Sequence, residues 1–347
     1  MRKPPPGCDP ESIVLTFPVA REQAGLRLDR FLQSRIPRIS RTRAKAIVKR
    51  CAHRADGTKR RASERVKAGE TVIIVRPPMN EPPVPKHFGV LYEDETVLVV
   101  DKPSGLPMHP TATYHKHTLT WLLYEAYGED APQFAHRLDR ETSGVVVCGK
   151  SLEAEVSLKK AFEDRKTRKR YLAIVRGEVA LDEGEIAEPI RGATEGLHVR
   201  MEIHPEGNPA RTHFRVLERR EGASLVSLRP ITGRQHQLRV HLAHLGHPIL
   251  GDKLYGPEGS APFEEAIDIG LSEALLERLG HPRQALHATE LEFPHPATGD
   301  FLAVESLLPW DLRRLWAAPA EALAGRAQVS FEALLERPDA DGSSVPL

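Results

Sequence analysis

The stretch Phe134–Lys150, FAHRLDRETSGVVVCGK, carries the residues best suited to chemistry. Asp139 stands in a charged run, His136-Arg137-Leu138-Asp139-Arg140-Glu141, followed by Thr142-Ser143-Gly144 and the apolar Val145-Val146-Val147-Cys148. The apolar run reads as a buried strand, and Gly144 as the end of a turn before it. Asp139 is therefore expected on a tight loop entering a sheet, between two arginines. For a lone Asp–Arg pair the plain reading is a surface turn with a local ion pair. An anionic carboxylate held by guanidinium groups is equally the form that acts as nucleophile or base.

Other chemistries find less support. The three cysteines, Cys8, Cys51 and Cys148, are scattered with no CxxC, and the 16 histidines are dispersed, so no metal site is indicated. No HExxH, GxGxxG or GxxxxGK[ST] occurs, which leaves a metal-dependent RNA hydrolase or a nucleotide cofactor without a constellation. No cofactor is expected. No apolar run approaches the ~20 residues of a membrane helix. The N-terminus MRKPPPGCDPES lacks the apolar core of a signal peptide, so a cytoplasmic protein is expected.

The elements that must position Asp139 fill a chain of 347 residues, enough for about two domains. Net charge is +1, yet residues 1–86 hold 20 Lys and Arg against 8 Asp and Glu, a net of +12. The remainder holds 29 against 40, a net of −11. A basic segment tied to an acidic body points to a polyanion partner held by the first segment. A solvated basic face is the competing reading.

Residues 1–25 are read as an N-terminal extension, Pro-rich at first, with a short strand at 12–19. In 26–76, Leu28, Phe31, Leu32 and Ile36 share one helical face, and Pro37 ends that helix. Ser40 caps a second helix whose exposed face carries Arg41, Arg43, Lys45, Lys49 and Arg50. A basic turn at 54–61 and a strand at 71–76 follow. Residues 77–87, PPMNEPPVPKH, form a stiff linker. The body, 88–317, holds a helix at 151–166 with Leu152, Val156, Leu158, Ala161 and Phe162 on its apolar side. Further strands are expected at 170–176, 185–190, 198–203, 210–219 and 223–229, and a helix opens after Gly233. Residues 258–283 read as a partly helical insertion, and 318–347 as a C-terminal tail. The fold class is α+β: a mixed or antiparallel sheet with flanking helices, preceded by a small α+β domain.

Three strings occur in order: HRLDRETSG, TGRQHQLRVHLAHLGHPILGDKLYG and ALHATELEFP followed by HPATG. With the opening run VLYEDETVLVVDKPSGLPMHP they resemble the RluA-type pseudouridine synthases. The pieces RLDRFL, SRTRAKAIV and VKAGETVIIV resemble the small RNA-binding domain first named for ribosomal protein S four. CAHRADG stands there in place of the usual V-x-V-N-G.

The resemblance implies an enzyme that detaches uracil from its ribose, turns the base and rejoins it through C5, with Asp139 as the catalytic residue. It implies that Arg234 pairs with Asp139 and that Tyr171 stacks on the target base. Leu238 would pack against the uracil ring, and His136 would shape the loop. Arg137 would enter the place left by the flipped base. RNA is the implied partner, ribosomal RNA of the large subunit before transfer RNA, with the protein acting as a monomer. A non-catalytic RNA-binding or ribosome-assembly factor on the same fold is the alternative.

Overall fold

The computed structural model describes residues 3–36, 39–111 and 113–318. Pro37 and all but the first residue of the tail lie outside these. The chain divides into two compact units, Met1–Pro82 and Pro83–Leu347.

The first unit packs two helices on a three-stranded sheet. Its elements are β1 (Ile13–Pro18), α1 (Leu28–Arg35), α2 (Arg41–Cys51), β2 (Ala52–His53) and β3 (Thr71–Arg76). The sheet order is β1-β3-β2, antiparallel throughout. β1 pairs with β3 along its full length, from Ile13 opposite Arg76 to Pro18 opposite Thr71. The strand that the sequence placed in an extension is thus part of the domain's sheet, because β3 without it would be an unpaired edge. Leu28, Phe31 and Leu32 of α1 meet Val48 of α2 and Val72 and Ile74 of β3 in one core. Ser40 caps α2, its hydroxyl accepting from Arg43 N–H at 3.2 Å. CAHRADG supplies β2, where Ala52 lies opposite Ile74.

The second unit is built on a ten-stranded sheet. Its elements run β4 (Gly89–Glu93), β5 (Val97–Lys102), α3 (Leu119–Tyr127), β6 (Gln133–Phe134), β7 (Ser143–Gly149), α4 (Leu152–Glu163) and β8 (Arg168–Arg176). They continue β9 (Glu183–Ile186), β10 (Ile190–Gly192), β11 (Met201–Ile203), β12 (Thr212–Arg220), β13 (Ala223–Pro230) and α5 (Gln237–His244). Last come α6 (Ala261–Asp268), α7 (Glu273–Leu279), β14 (Leu286–Pro294), β15 (Phe301–Glu305) and α8 (Trp310–Ala317). The main path is β4-β5-β7-β14-β8-β13-β12-β9, with β15 beside β14 and β6 beside β7; β10 and β11 form a separate hairpin. The β7–β14 pair is parallel and the other strand pairs of this sheet are antiparallel, so the sheet is mixed and the fold α+β.

Two local expectations change. On α4, Leu152 and Val156 are 68% and 56% exposed, while Ala154, Leu158 and Ala161 are buried. Residues two positions apart lie about 200° round a helix, so 152 and 156 cannot share the face of 154 and 158. Gly144 lies inside β7, at φ +112°, rather than ending the turn. A Cβ there would fall 2.1 Å from Ala288 O, so only glycine lets β14 approach.

Candidate active site

Asp139 sits in the loop between β6 and β7, and three buried cations hold that loop by its backbone and by Glu141. Lys102 Nζ, fully buried, donates to Pro103 O, Leu106 O and Arg140 O at 2.9, 2.9 and 3.1 Å. Burial draws this lysine down to about 7, yet three carbonyl acceptors call for the three donors of an ammonium group. Lys253 Nζ donates to both Glu141 carboxylate oxygens, at 2.9 and 3.0 Å. Burial would raise Glu141, but Lys253 and Arg140 outweigh it and leave its carboxyl at about 2. Arg283 pairs with Asp311 at 2.7 Å and donates to Glu141 O at 3.2 Å.

The carboxylate of Asp139 meets α5. Arg239 Nη1 donates to Asp139 Oδ2 at 3.1 Å. The same guanidinium is anchored from behind by Asp252, Nε to Oδ2 at 2.6 Å and Nη2 to Oδ1 at 2.8 Å, and lies over the Tyr255 ring at 5.0 Å. Burial pushes Asp139 up, but the charges of Arg239 and His236 and hydrogen bonds from Arg239 and Gln284 pull it down further. Its pKa is net lowered, so the carboxylate is ionised near neutrality. His236 titrates at about 4 because it is buried, so above that pH the depression rests on Arg239 and Gln284.

The pairing expected of Arg234 therefore belongs to Arg239. Arg234 is exposed, and its Nε donates to Pro209 O at 3.1 Å. The reason is local: α5 starts at Gln237, not after Gly233, because His236 is left-handed, with φ 54° and ψ 16°. The turn before it is locked by Gln237, whose Oε1 accepts from Thr232 Oγ1 at 2.7 Å and Arg234 N–H at 3.0 Å. The sequence did carry a sign of Arg239. Arg239 stands between Leu238 and Val240, which points to burial only if α5 is packed on several sides, and a buried guanidinium needs a carboxylate.

A cavity of about 520 Å³ opens over Asp139, bordered by Arg137, Tyr171, Leu238 and Arg234. Tyr171, on β8, has its phenol raised by burial and by the Asp139 charge, so it stays protonated. Leu238 is 7% exposed and also belongs to the main core. Arg137 is exposed at the cavity edge. His136 accepts from Val147 N–H at 3.2 Å through Nε2 and stacks on Phe162 at 4.6 Å; burial drops it to about 3. The neutral ring ties the start of the loop to β7. Among the described residues no cluster of three His, Cys, Asp or Glu could hold a metal, and no helix is long and apolar enough to cross a membrane.

The insertion read at 258–283 is not a detachable appendage at its end. Pro282 O accepts from Lys253, and Arg283 supports the Asp139 loop.

Residues 96–244 match the family described as RNA pseudouridylate synthase. The ribosomal large subunit pseudouridine synthase D of Yersinia pestis is 35% identical over 88% of this chain and 94% of its own length. That of Xanthomonas campestris is 36% identical over 88% and 93%. The structure of human RNA pseudouridylate synthase domain containing 1 superposes with a TM-score of 0.52 at 28% identity, covering 69% of this chain and 98% of that one. The chain belongs to the RNA pseudouridylate synthase family. As a pseudouridine synthase it is an isomerase acting on uridine in RNA. Its task is to break the bond from uracil N1 to the sugar and rejoin the base through C5, with nothing gained or lost.

Proposed function

We propose that this synthase acts on uridine in large-subunit ribosomal RNA and that Asp139 is its reacting carboxylate. The observation that carries the second part is the Arg239–Asp139 pair at the cavity: an ionised, aimed carboxylate beside Tyr171 and Leu238. The naming of the Yersinia and Xanthomonas relatives supports the first part. In this reading the target base leaves its stack, lies between Tyr171 and Leu238, and Arg137 enters the space it vacated. Arg234, exposed at the rim, holds a phosphate.

The first unit serves as an RNA-binding domain like that of ribosomal protein S four. Arg41, Arg43, Lys45, Lys49 and Arg50, all exposed, grip phosphates without reading bases. Mapping pseudouridines across ribosomal and transfer RNA from a strain lacking the gene tests the substrate. Sites that vanish from large-subunit RNA and return with the wild-type gene but not with Asp139→Asn support the reading. Loss confined to transfer RNA refutes the substrate assignment.

A further inference from the structure

The two oxygens of Asp139 have different surroundings. Oδ2 is taken by Arg239 at 3.1 Å, whereas Oδ1 looks toward His236 Nε2 at 3.8 Å, just beyond hydrogen-bond length. His236 pays for that position with a left-handed backbone, an uncommon conformation for a residue with a side chain, though one that His and Asn tolerate better than most. Its other ring nitrogen is occupied. Nδ1 lies 2.8 Å from Tyr255 Oη, and that oxygen already accepts from Met201 N–H at 2.8 Å. Because Met201 N–H already occupies one acceptor position of the Tyr255 oxygen, its hydroxyl hydrogen is left to donate to Nδ1. The ring hydrogen then sits on Nε2, where it faces an anion, the electrostatically favoured arrangement. The same Tyr255 ring lies under the guanidinium of Arg239, so one side chain orients two of the groups that face Asp139, the third being Gln284.

We propose that His236 is a positioning residue: a neutral imidazole, held as its Nε2–H tautomer by Tyr255, that directs the Oδ1 oxygen of Asp139 in the reaction. Arg239 secures one oxygen by charge, and His236 aims the other without neutralising it. A cation on both sides would bind the carboxylate too firmly to react; a neutral donor sets direction at little cost in basicity. This rests on Asp139 being the reacting carboxylate.

The test uses the full chain and an in vitro transcribed large-subunit ribosomal RNA, with single-turnover rates and RNA affinity measured for wild type, His236→Asn, Tyr255→Phe and Asp139→Asn. Asparagine accepts the left-handed backbone but cannot reach Oδ1. His236→Asn is expected to lose on the order of 10–100-fold in rate, since a misplacement of about 1 Å at a reacting group can cost about 100-fold, with RNA affinity unchanged. Tyr255→Phe keeps the ring under Arg239 and removes only the hydroxyl, so it should lose less. Nitrogen-15 spectra of histidine-labelled protein, with His236 assigned by its absence in the variant, should show Nε2–H in wild type and a tautomer mixture in Tyr255→Phe.

A wild-type rate for His236→Asn beside an inactive Asp139→Asn overturns the role of His236 and leaves the catalytic reading standing. An active Asp139→Asn overturns the reading itself. An Nδ1–H tautomer in wild type, or loss of RNA affinity in step with rate, also overturns the proposal. If His236→Asn does not fold, the Tyr255→Phe rate decides, and a wild-type rate there overturns the proposal.

Discussion

On α2 of the first unit, Arg41, Arg43, Lys45, Lys49 and Arg50 all stand in solvent. Under the Asp139 loop of the second unit, Lys102, Arg239, Lys253 and Arg283 are all buried, and each donates to particular oxygen atoms. Among the described residues, the acid within ion-pair reach of the α2 face is Asp29, 4.0 Å from Arg41, and it is already engaged by Arg27 at 3.1 Å. Exposed cations left without firm partners hold a polyanion by releasing its counterions, and each does a similar share. Buried cations with fixed partners do something else: they set where a carboxylate points and whether it is charged. The basic turn of the first unit belongs partly to the second kind, since Arg54 and Arg60 are tied to Glu64 at 2.8 and 3.2 Å. The +12 of residues 1–86 therefore overstates the charge free to meet RNA.

If the contrast is right, damage to the two regions should look different. Asp139→Asn keeps shape and removes the anion, so the single-turnover rate should fall at least ~10³-fold, about 4 kcal/mol of barrier, with RNA binding retained. A rate within tenfold of wild type would break the comparison at its centre.

Arg239→Lys keeps a charge but loses the fork that spans Asp139 and Asp252, and should lose on the order of 100-fold in rate. Because Asp139 is held low by Arg239, the variant's activity should begin to fall at a higher pH on acidification than wild type's. An unshifted acid limb would mean that Arg239 does not set the charge state of Asp139.

The buried network should also make the second unit acid-sensitive. His136 titrates at about 3, and His236, His281 and His287 at about 4, each depressed chiefly by burial. Below the ordinary histidine value near 6.5 the unfolded chain takes up protons that the folded chain refuses. The stability these groups contribute is thus full above about pH 6.5 and is lost as pH falls toward 4, on the order of 1 kcal/mol per histidine by pH 5.5. All three tryptophans, Trp121, Trp310 and Trp316, lie in this unit, so urea unfolding followed by tryptophan fluorescence reports on it. A midpoint unchanged between pH 7 and 5 would show that these rings are not held neutral.

Replacing the five α2 cations by alanine should leave the rate at saturating RNA unchanged. The slope of log affinity against log salt should flatten by about 4 units if each meets a phosphate. The smallest effect is expected of Arg234→Ala: a slope change of about one and no loss of saturated rate. A large rate loss there would return Arg234 to the chemistry and blur the distinction between exposed and buried cations.

Much of this was readable from residue order. The string HRLDRETSG placed Asp139 on a loop before a buried strand, and the loop runs directly into β7. The apolar spacing of Leu28, Phe31 and Leu32 and the cap at Ser40 gave the first unit its helices, since caps and helical periodicity act between neighbours in sequence. Local rules could not decide whether Leu152 faces in or out, because that depends on how α4 lies against β7.

Nor could they choose between Arg234 and Arg239. One left-handed residue, His236, delays the helix and turns Arg234 toward Pro209, leaving Arg239 to meet a carboxylate 100 residues away in the chain. Residue order determined which groups this protein brings to the reaction. Tertiary structure decided which of them touch, because an ion pair depends on distance and desolvation, and both are set only when β7, β14, β8 and α5 are packed together.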